Sequence, residues 1–335
     1  MTPLILGLAG AALTDDERAF FGEVDPAGFI LFKRNVTDRA QMKALTDDLR
    51  AIAGRDDVPI LIDQEGGRVA RMQPPEWPAF PAGAAFDRLY ELAPMSAIEA
   101  IRANAQALAL MLREVGVNVD CLPLLDVRQP GAHDIIGDRA LGTEPLRVAA
   151  LGRATLEGLK AGGAVGVVKH MPGHGRSMSD SHVELPMVEA SAKELETDIA
   201  PFKTLAWAPM GMTAHVVYTA WDKDQPGSLS ATVIGEIIRG MIGFDGLLMS
   251  DDLGMHALQG SFTDRAAGVI AAGCDIALHC SGDMEEMQAC AKGVTAIAPR
   301  AKERLDAAMA TIAGVADSTS FADLIAKRDA LLALE

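Results

Sequence analysis

The chain has 335 residues, of which 49% are hydrophobic and 23% are charged, and its formal net charge is −16. A chain of this length and composition can bury a large core without disulfide bonds or structural metals. The excess of acidic residues argues against nucleic acids and anionic membrane surfaces as partners, because both require a basic contact surface.

The cysteines and the N-terminal segment indicate a protein of a reducing compartment. The four cysteines form no C-x-x-C pair, so they predict buried thiols rather than a zinc site or a redox pair. The apolar run Leu4–Ala9 is too short to cross a bilayer, and no Lys or Arg precedes Arg18 as a secretory signal would require. We therefore expect a buried first strand and a cytoplasmic protein.

Short apolar runs alternate along the chain with longer segments of helical period. Most runs lack polar–apolar alternation, which is typical of parallel strands covered on both faces. The predicted strands are Leu4–Ala9, Gly28–Lys33, Pro59–Asp63, Val117–Leu122, Val165–His170, Gly211–Val217, Gly246–Ser250 and Cys274–His279. The predicted helices include Arg39–Ala53, Ile98–Glu114, Leu146–Ala161, Thr232–Ile242, Ala301–Ile312 and Phe321–Leu334. This alternation predicts an α/β fold with one domain over residues 1–335, a (β/α)8 TIM-type barrel with extra C-terminal helices.

In such barrels the chemistry lies at the C-terminal ends of the strands, and several predicted strands are followed by polar side chains. These residues are Lys33, Arg34, Asn35, Asp63, Gln64, Glu65, Asp126, Lys169, His170, His215, Asp251, Asp252 and His279. A scaffold alone does not require so many polar groups at one face. The pattern therefore predicts a polar site there.

The segment Asp63–Val69 places two carboxylates and an arginine around a Gly-Gly turn. A carboxylate at a strand end can accept two sugar hydroxyls at once, and this is the functional interpretation of Asp63. The structural alternative is an ion pair of Asp63 or Glu65 with Arg68 or Arg71.

The segment Lys169–Gly175 ends a predicted strand and opens a loop that contains Asp180 and His182. A carboxylate two residues before a histidine can hold one imidazole nitrogen and fix the tautomer of a general base. The alternative is that Asp180 caps a turn and that His182 is merely exposed.

The segment Gly243–Gly254 delivers two adjacent carboxylates, Asp251 and Asp252, to the end of a buried strand. An ionised carboxylate can attack an anomeric carbon. Because adjacent side chains of a strand point to opposite faces, we expect only Asp251 to face the pocket. Asp252 would then be a helix N-cap or a supporting group.

Together with Ile136–Arg139, these segments resemble the family-3 glycoside hydrolases. The run Lys-His-x-Pro-Gly-His-Gly followed by Asp-Ser-His is similar to the branch of bacterial cytoplasmic β-N-acetylhexosaminidases that act in cell-wall recycling. The resemblance implies retaining, exo-acting hydrolysis of β-linked N-acetylglucosamine from peptidoglycan fragments. It implies that Asp251 is the nucleophile, His182 the acid/base and Asp180 its partner. It also implies that a monomer binds the sugar, without metal or cofactor, through Asp63, Arg71, Arg139, Lys169 and His170.

Three other functions stay open on the sequence alone. The first is another activity of the same scaffold, a β-glucosidase or a glycoside phosphorylase, since a neutral imidazole repels phosphate less than a carboxylate does. The second is a metal-dependent barrel hydrolase built on His170, His174, His182 and His215 with aspartates, although the first predicted strand lacks a His-x-His pair. The third is a sugar-binding protein without activity, against which the intact Asp251 and His182 argue.

Overall fold

The computed structural model describes residues 1–131, 134–177, 185–315 and 319–334. Within these residues, eight parallel strands close a barrel in which each strand pairs with the next along the chain and the last pairs with the first. The strands are β1 (Thr2–Leu6), β2 (Pro26–Leu31), β3 (Ile60–Ile62), β4 (Val119–Asp120), β5 (Val165–Met171), β6 (Met210–Thr213), β7 (Leu247–Asp252) and β8 (Ile276–His279). The predicted (β/α)8 barrel is confirmed.

Helices connect the strands and cover the outside of the barrel. They are α1 (Asp15–Val24), α2 (Arg39–Ala53), α3 (Gly83–Leu92), α4 (Pro94–Glu114), α5 (Pro145–Gly162), α6 (Ala192–Thr204), α7 (Val233–Ile242, of π type), α8 (Phe262–Ala272), α9 (Met284–Lys292), α10 (Pro299–Ala310) and α11 (Phe321–Leu332). The six helices predicted from the sequence are present, with ends shifted by a few residues. None of the described helices is long and apolar enough to span a membrane.

The strands β4 and β6 are shorter than predicted, for two different reasons. Before β4, the side chain of Asn118 takes part in the pairing, because it accepts from Ile60 N at 2.7 Å and donates to Val58 O at 2.9 Å, while its backbone N–H donates to Ile60 O at 3.2 Å. After β6 the chain leaves the barrel, and Val217–Tyr218 pairs with Met187–Val188 instead.

The helix α10 closes the barrel at the N-terminal ends of the strands. Leu305 and Met309 of α10 are buried and belong to the same apolar cluster as the inward-facing Ile5 of β1. Arg304 fixes α10 in place, because its guanidinium lies 2.9 Å from the carboxylate of Asp275 at the start of β8. Since α10 covers this end of the barrel, a ligand must enter at the C-terminal ends of the strands.

Candidate active site

A cavity of about 260 Å³ opens at the C-terminal ends of the strands. Its volume lies just below the usual range for drug-sized ligands and suits a single sugar ring. Six of the predicted site residues border this one cavity: Asp63, Arg71, Arg139, Lys169, His170 and Asp251. The other two, Asp180 and His182, lie outside the described residues, so the acid/base assignment stays a prediction.

Asp63 follows β3, and its carboxylate lies between two cations. Oδ1 accepts from Lys169 Nζ at 3.0 Å, and Oδ2 accepts from Arg71 Nη2 at 3.0 Å. Burial by itself raises the pKa of Asp63, but the charges of Lys169 and Arg71 outweigh it, so the pKa lies well below its usual range. Asp63 is therefore ionised, and each of its oxygens keeps a lone pair for a ligand hydroxyl.

Glu65 is a site residue that the sequence interpretation did not assign. Its carboxylate forms a bidentate pair with Arg139, with Nε–Oε2 and Nη2–Oε1 both 2.8 Å, and lies 2.7 Å from Lys169 Nζ. Burial raises the pKa of Glu65, but Lys169 and Arg139 outweigh it and lower the pKa to about 2. The sequence feature that could have identified Glu65 is its spacing of two residues from Asp63, because residues two apart in an extended segment point to the same face.

Of the two arginines considered as ion-pair partners of Asp63 or Glu65, only Arg71 forms such a pair. Arg71 pairs with Asp63, as the structural alternative proposed, and it also borders the cavity. Arg68 instead lies 2.8 Å from Asp138 and donates to the carbonyls of Asp134 and Ile135. Arg68 thus joins this segment to the loop that supplies Arg139.

The Gly-Gly turn brings Arg71 back to Asp63. Gly66 and Gly67 have φ values of +98° and +56°, and they reverse the chain between the short strands Gln64–Gly66 and Val69–Ala70. A Cβ atom on Gly66 would lie 2.3 Å from the carbonyl oxygen of Pro81. Both the backbone conformation and the space therefore require glycine at this position.

Lys169 lies at the centre of the charged cluster and is 2% exposed. Burial disfavours an ammonium group, but Asp63 and Glu65 outweigh this cost, and they raise the pKa of Lys169 above its usual range. Of the three ammonium hydrogens, one is donated to Asp63 Oδ1 at 3.0 Å, and a second can face Glu65 Oε1, which lies 2.7 Å from Nζ in an ion pair. The third hydrogen is available to a ligand.

His170 is oriented by Asp126, which is fully buried. Asp126 Oδ2 lies 2.7 Å from His170 Nδ1, and its Oδ1 accepts from the backbone N–H groups of His170 and His174. Burial raises the pKa of Asp126, but His170 and the other donors lower it to about 2. The ionised carboxylate can only accept, so the hydrogen of the ring resides on Nδ1 and Nε2 is left for a ligand.

The end of β7 differs from the expectation for its two aspartates. Both Asp251 and Asp252 border the cavity, so the prediction that only one would do so is wrong. The register of β7 against β8 shifts between Met249 and Asp252, which breaks the strict alternation of side chains. The supporting role of Asp252 is seen in its contacts, since its Oδ1 accepts from Gly254 N at 2.9 Å and Cys280 N at 3.0 Å.

His215, which follows β6, forms a hydrogen bond with the end of the neighbouring strand β7. Its Nε2 lies 2.9 Å from the carbonyl oxygen of Asp252, and its Nδ1 lies 2.7 Å from Ser228 Oγ. Burial lowers the pKa of His215, so the ring is neutral and donates from Nε2. His215 therefore fixes the backbone next to Asp251.

Phe32 is an apolar member of the site that the sequence interpretation left inside a predicted strand. The guanidinium carbons of Arg34 and Arg71 lie 5.0 and 5.1 Å from the centre of its ring. The ring borders the cavity and holds the Arg71 side chain against Asp63. No periodicity could identify it, because an apolar residue at a strand end is typical of a core.

The sequence matches the glycosyl hydrolase family 3 N-terminal domain over residues 6–315. A "Beta-hexosaminidase" of Bordetella avium is 37% identical over 284 residues, which is 83% of this chain and 80% of that protein. A "Beta-hexosaminidase" of Aromatoleum aromaticum is 35% identical over 310 residues, 91% of this chain and 86% of that protein.

The fold is also similar to that of a solved enzyme structure. NagZ from Neisseria gonorrhoeae, in complex with N-trifluoroacetyl-D-glucosamine, superposes with a TM-score of 0.86 at 30% identity, over 98% of this chain and 98% of that one. The match to the family extends over nearly the whole barrel, including every described residue of the cavity. The chain therefore belongs to glycosyl hydrolase family 3.

Proposed function

We propose that the protein is a retaining, exo-acting β-N-acetylglucosaminidase. The observation that supports this best is that Asp251 borders the same small cavity as the ionised Asp63 and the buried Lys169. The names of the two relatives and the ligand of the Neisseria gonorrhoeae structure favour a β-linked amino sugar over a glucoside.

The charged cluster has hydrogen-bonding capacity left for the sugar hydroxyls. Lys169, Arg71 and Arg139 face the carboxylates of Asp63 and Glu65, so cations exceed anions by one in this group. Arg71 Nε is buried and makes no hydrogen bond within the described part of the chain. Together with the third hydrogen of Lys169, it can donate to a hydroxyl that in turn donates to Asp63.

The reaction is a double displacement at the anomeric carbon. A carboxylate oxygen of Asp251 attacks this carbon and forms a glycosyl ester, while protonated His182 gives its proton to the departing oxygen. A water molecule then loses a proton to the neutral His182, attacks the same carbon and releases Asp251. Asp180 would hold the imidazole and favour its cationic form before the first step.

The substrate is a chain end rather than the middle of a polysaccharide. The cavity has room for one sugar ring, and only 4% of the residues are aromatic, which disfavours an extended stacking platform. From the resemblance we propose peptidoglycan fragments as the substrate class, with N-acetylglucosamine linked to anhydro-muramic acid, with or without peptide. The cytoplasmic location and the monomeric state stay predictions.

A panel of p-nitrophenyl β-glycosides tests the activity. We expect hydrolysis of the N-acetylglucosaminide in large excess over the glucoside, with the β-anomer as the first product by NMR. The rate and the product should be the same with and without phosphate, and the rate should survive a chelator. A preference for the glucoside, a sugar phosphate as product, or loss of activity with the chelator would overturn the proposal in favour of the corresponding alternative.

The role of Asp251 is tested directly with a 2-deoxy-2-fluoro glycosyl substrate that traps the ester. Mass spectrometry of peptides should place the label on Asp251. Asp251→Asn should lower kcat for natural linkages by at least about 10³-fold while the protein stays folded. Substantial remaining activity, or a label on another carboxylate, would remove Asp251 as the nucleophile.

A further inference from the structure

We propose that His279 is a positioning residue that controls the nucleophile through Asp252, by taking up a proton at Nδ1 on the side of the ring that faces this carboxylate. The inference rests on the proposed function, because it takes Asp251 to be the attacking group. His279 ends β8 and is fully buried. It does not border the sugar cavity, and the reaction described above does not use it.

The hydrogen bonds of His279 decide which nitrogen bears a hydrogen in the neutral ring. Ser281 Oγ lies 2.6 Å from Glu286 Oε2, and since a carboxylate only accepts, the single hydroxyl hydrogen points to Glu286. His279 Nε2 lies 2.8 Å from Ser281 Oγ and 3.2 Å from Glu286 Oε2. Neither oxygen has a hydrogen to offer, so Nε2 must donate.

The neutral ring therefore presents the lone pair of Nδ1 to Asp252. Nδ1 is buried, has no hydrogen-bond partner among the residues the structure describes, and lies 3.8 Å from Asp252 Oδ1. A lone pair opposite a carboxylate is repelled by it, whereas an N–H at the same place is attracted. The site is thus built so that one proton converts repulsion into an ion pair.

Asp252 influences Asp251, the proposed nucleophile, through a backbone hydrogen bond and through the electrostatic interaction of the two carboxylates. The N–H of Asp252 donates to Asp251 Oδ1 at 2.8 Å, and both carboxylates border the cavity. A positive charge on His279 stabilises the negative charges of Asp252 and of the neighbouring Asp251. The carboxylate of Asp251 is then a weaker nucleophile toward the anomeric carbon. With the neutral ring the two carboxylates lack this stabilisation, which favours attack by Asp251.

Groups from several elements face the imidazole. Asp252 faces it from β7, while Glu286 and Asp283 face it from α9 and its N-cap. The centre of the Phe262 ring of α8 lies 5.0 Å from that of the imidazole, and the Arg265 guanidinium carbon lies 5.1 Å from the centre of the same phenyl ring.

The charge of Asp252 also acts on the Cys280 and Cys290 thiols, whose pKa values it raises, and on the Arg34 guanidinium, whose pKa it raises against the larger effect of burial. Burial lowers the pKa of His279 and outweighs the three carboxylates, which raise it. The imidazole is then neutral at neutral pH and becomes charged on the acid side of the usual histidine range.

The pH dependence of kcat/KM tests this with an activated aryl N-acetylglucosaminide. Such a substrate needs little help from a proton donor, so its acid limb reports groups that must be deprotonated, and loss of the His182 proton affects it little. We expect His279→Gln, which keeps a donor near Ser281 and cannot take up the proton, to move the acid limb down by about one pH unit. The alkaline limb should stay in place.

Glu286→Gln provides a second variant away from the sugar cavity. It removes one of the carboxylates that favour the charged ring, so the acid limb should move in the same direction by about half a unit. Asp264→Asn is the matched control, because Ser261 Oγ donates to Asp264 at 2.6 Å in the same way but no imidazole in the described part of the chain is bonded to this pair. Its profile should superimpose on that of the wild type.

NMR titration of the imidazole C–H signals gives a direct reading, with the His279 signal identified by its loss in His279→Gln. The pKa of this signal should match the acid limb of the wild type and should fall in Glu286→Gln. Acid limbs that coincide in the wild type and both variants, or a His279 signal that does not titrate over the limb, would overturn the inference. The proposed function fails on a different result, which is activity in Asp251→Asn.

Discussion

Arg139 and Glu65 meet in a bidentate ion pair in the lining of the cavity, and their side chains are only 11% and 4% exposed. Water screens such a pair little, and the planar guanidinium fixes the direction of the carboxylate. Glu65 in turn forms an ion pair with Lys169 at 2.7 Å, and Lys169 also donates to Asp63. The pair therefore sets the position of the lysine that we expect to donate to the sugar.

Arg139→Lys and Arg139→Met separate the geometry of this pair from its charge. The lysine keeps the charge but loses the second hydrogen bond, so we expect KM for the N-acetylglucosaminide to rise about tenfold with a smaller change in stability. The methionine leaves Glu65 short of a partner, so the free energy of unfolding should fall by about 3 kcal/mol in urea titrations. In a double-mutant cycle with Glu65→Gln, strictly additive effects on unfolding would contradict the coupling.

His182→Ala should distinguish substrates by their leaving groups. A poor leaving group needs protonation, so kcat/KM for a disaccharide should fall by about 10²–10⁴-fold. An activated aryl glycoside departs as a stable anion and should lose far less in its first step. The comparison of the two substrates under identical conditions is the measurement, and equal losses would speak against His182 as the proton donor.

The strand pattern predicted the barrel because a buried parallel strand is a local feature of the chain. Runs such as Val165–His170 are apolar on both faces, and helices of the right length separate them. The ends of the strands were less predictable, since they depend on long-range contacts. The side chain of Asn118 accepts from Ile60 N and donates to Val58 O, and no local pattern in the sequence predicts these bonds.

Site residues could be predicted where a sequence motif or the end of a strand indicated them. They could not be predicted where their position depends on a contact between distant parts of the chain. Lys169 and Asp251 lie in the last residues of their strands and Asp63 directly follows one, so the barrel brings them to one cavity. The partner of Glu65 is Arg139, 74 positions away, and no local pattern could supply that pairing. The register shift next to Asp252 likewise depends on the neighbouring strand β8.

Asp126→Asn should lower stability in a pH-dependent way. The pKa of Asp126 is about 2 in the folded protein, below the ordinary 3.8, so its contribution is present above the ordinary value and is lost as the pH falls through 2. At pH 7 we expect the free energy of unfolding to fall by about 2 kcal/mol, and the difference from the wild type to shrink below about pH 4. Urea titrations at several pH values measure it, and a difference that stays constant would contradict the prediction.

The same variant should also weaken substrate binding. An asparagine can offer its amide N–H to His170 Nδ1 and so favour the opposite tautomer of the ring. The hydrogen would then reside on Nε2, the nitrogen that we expect a ligand to meet. KM for the N-acetylglucosaminide should rise while kcat changes less, and an unchanged KM would indicate that His170 does not contact the sugar.

His215 offers a test of how strictly the nucleophile must be held. It does not border the cavity, but its Nε2 donates to the carbonyl oxygen of Asp252 at 2.9 Å. His215→Gln can place an amide N–H close to that position, whereas His215→Leu cannot. Because small displacements of a reacting group are costly, we expect kcat to fall by about 10²-fold in the leucine variant and by less than about tenfold in the glutamine variant. KM should change little in either, since the sugar contacts are intact.

Ser228→Ala serves as the control for His215, because it removes the partner of Nδ1 at 2.7 Å and leaves the bond to Asp252 in place. We expect kcat of Ser228→Ala to stay nearer to the wild-type value than kcat of His215→Leu does. This should hold even if Ser228→Ala, His215→Leu and His215→Gln lose similar amounts of stability. Thermal unfolding and kinetics of the same preparations provide the comparison. If kcat instead follows the loss of stability across the three variants, His215 acts only as part of the buried core. If kcat follows the hydrogen bond to Asp252, the backbone beside Asp251 limits the rate of attack.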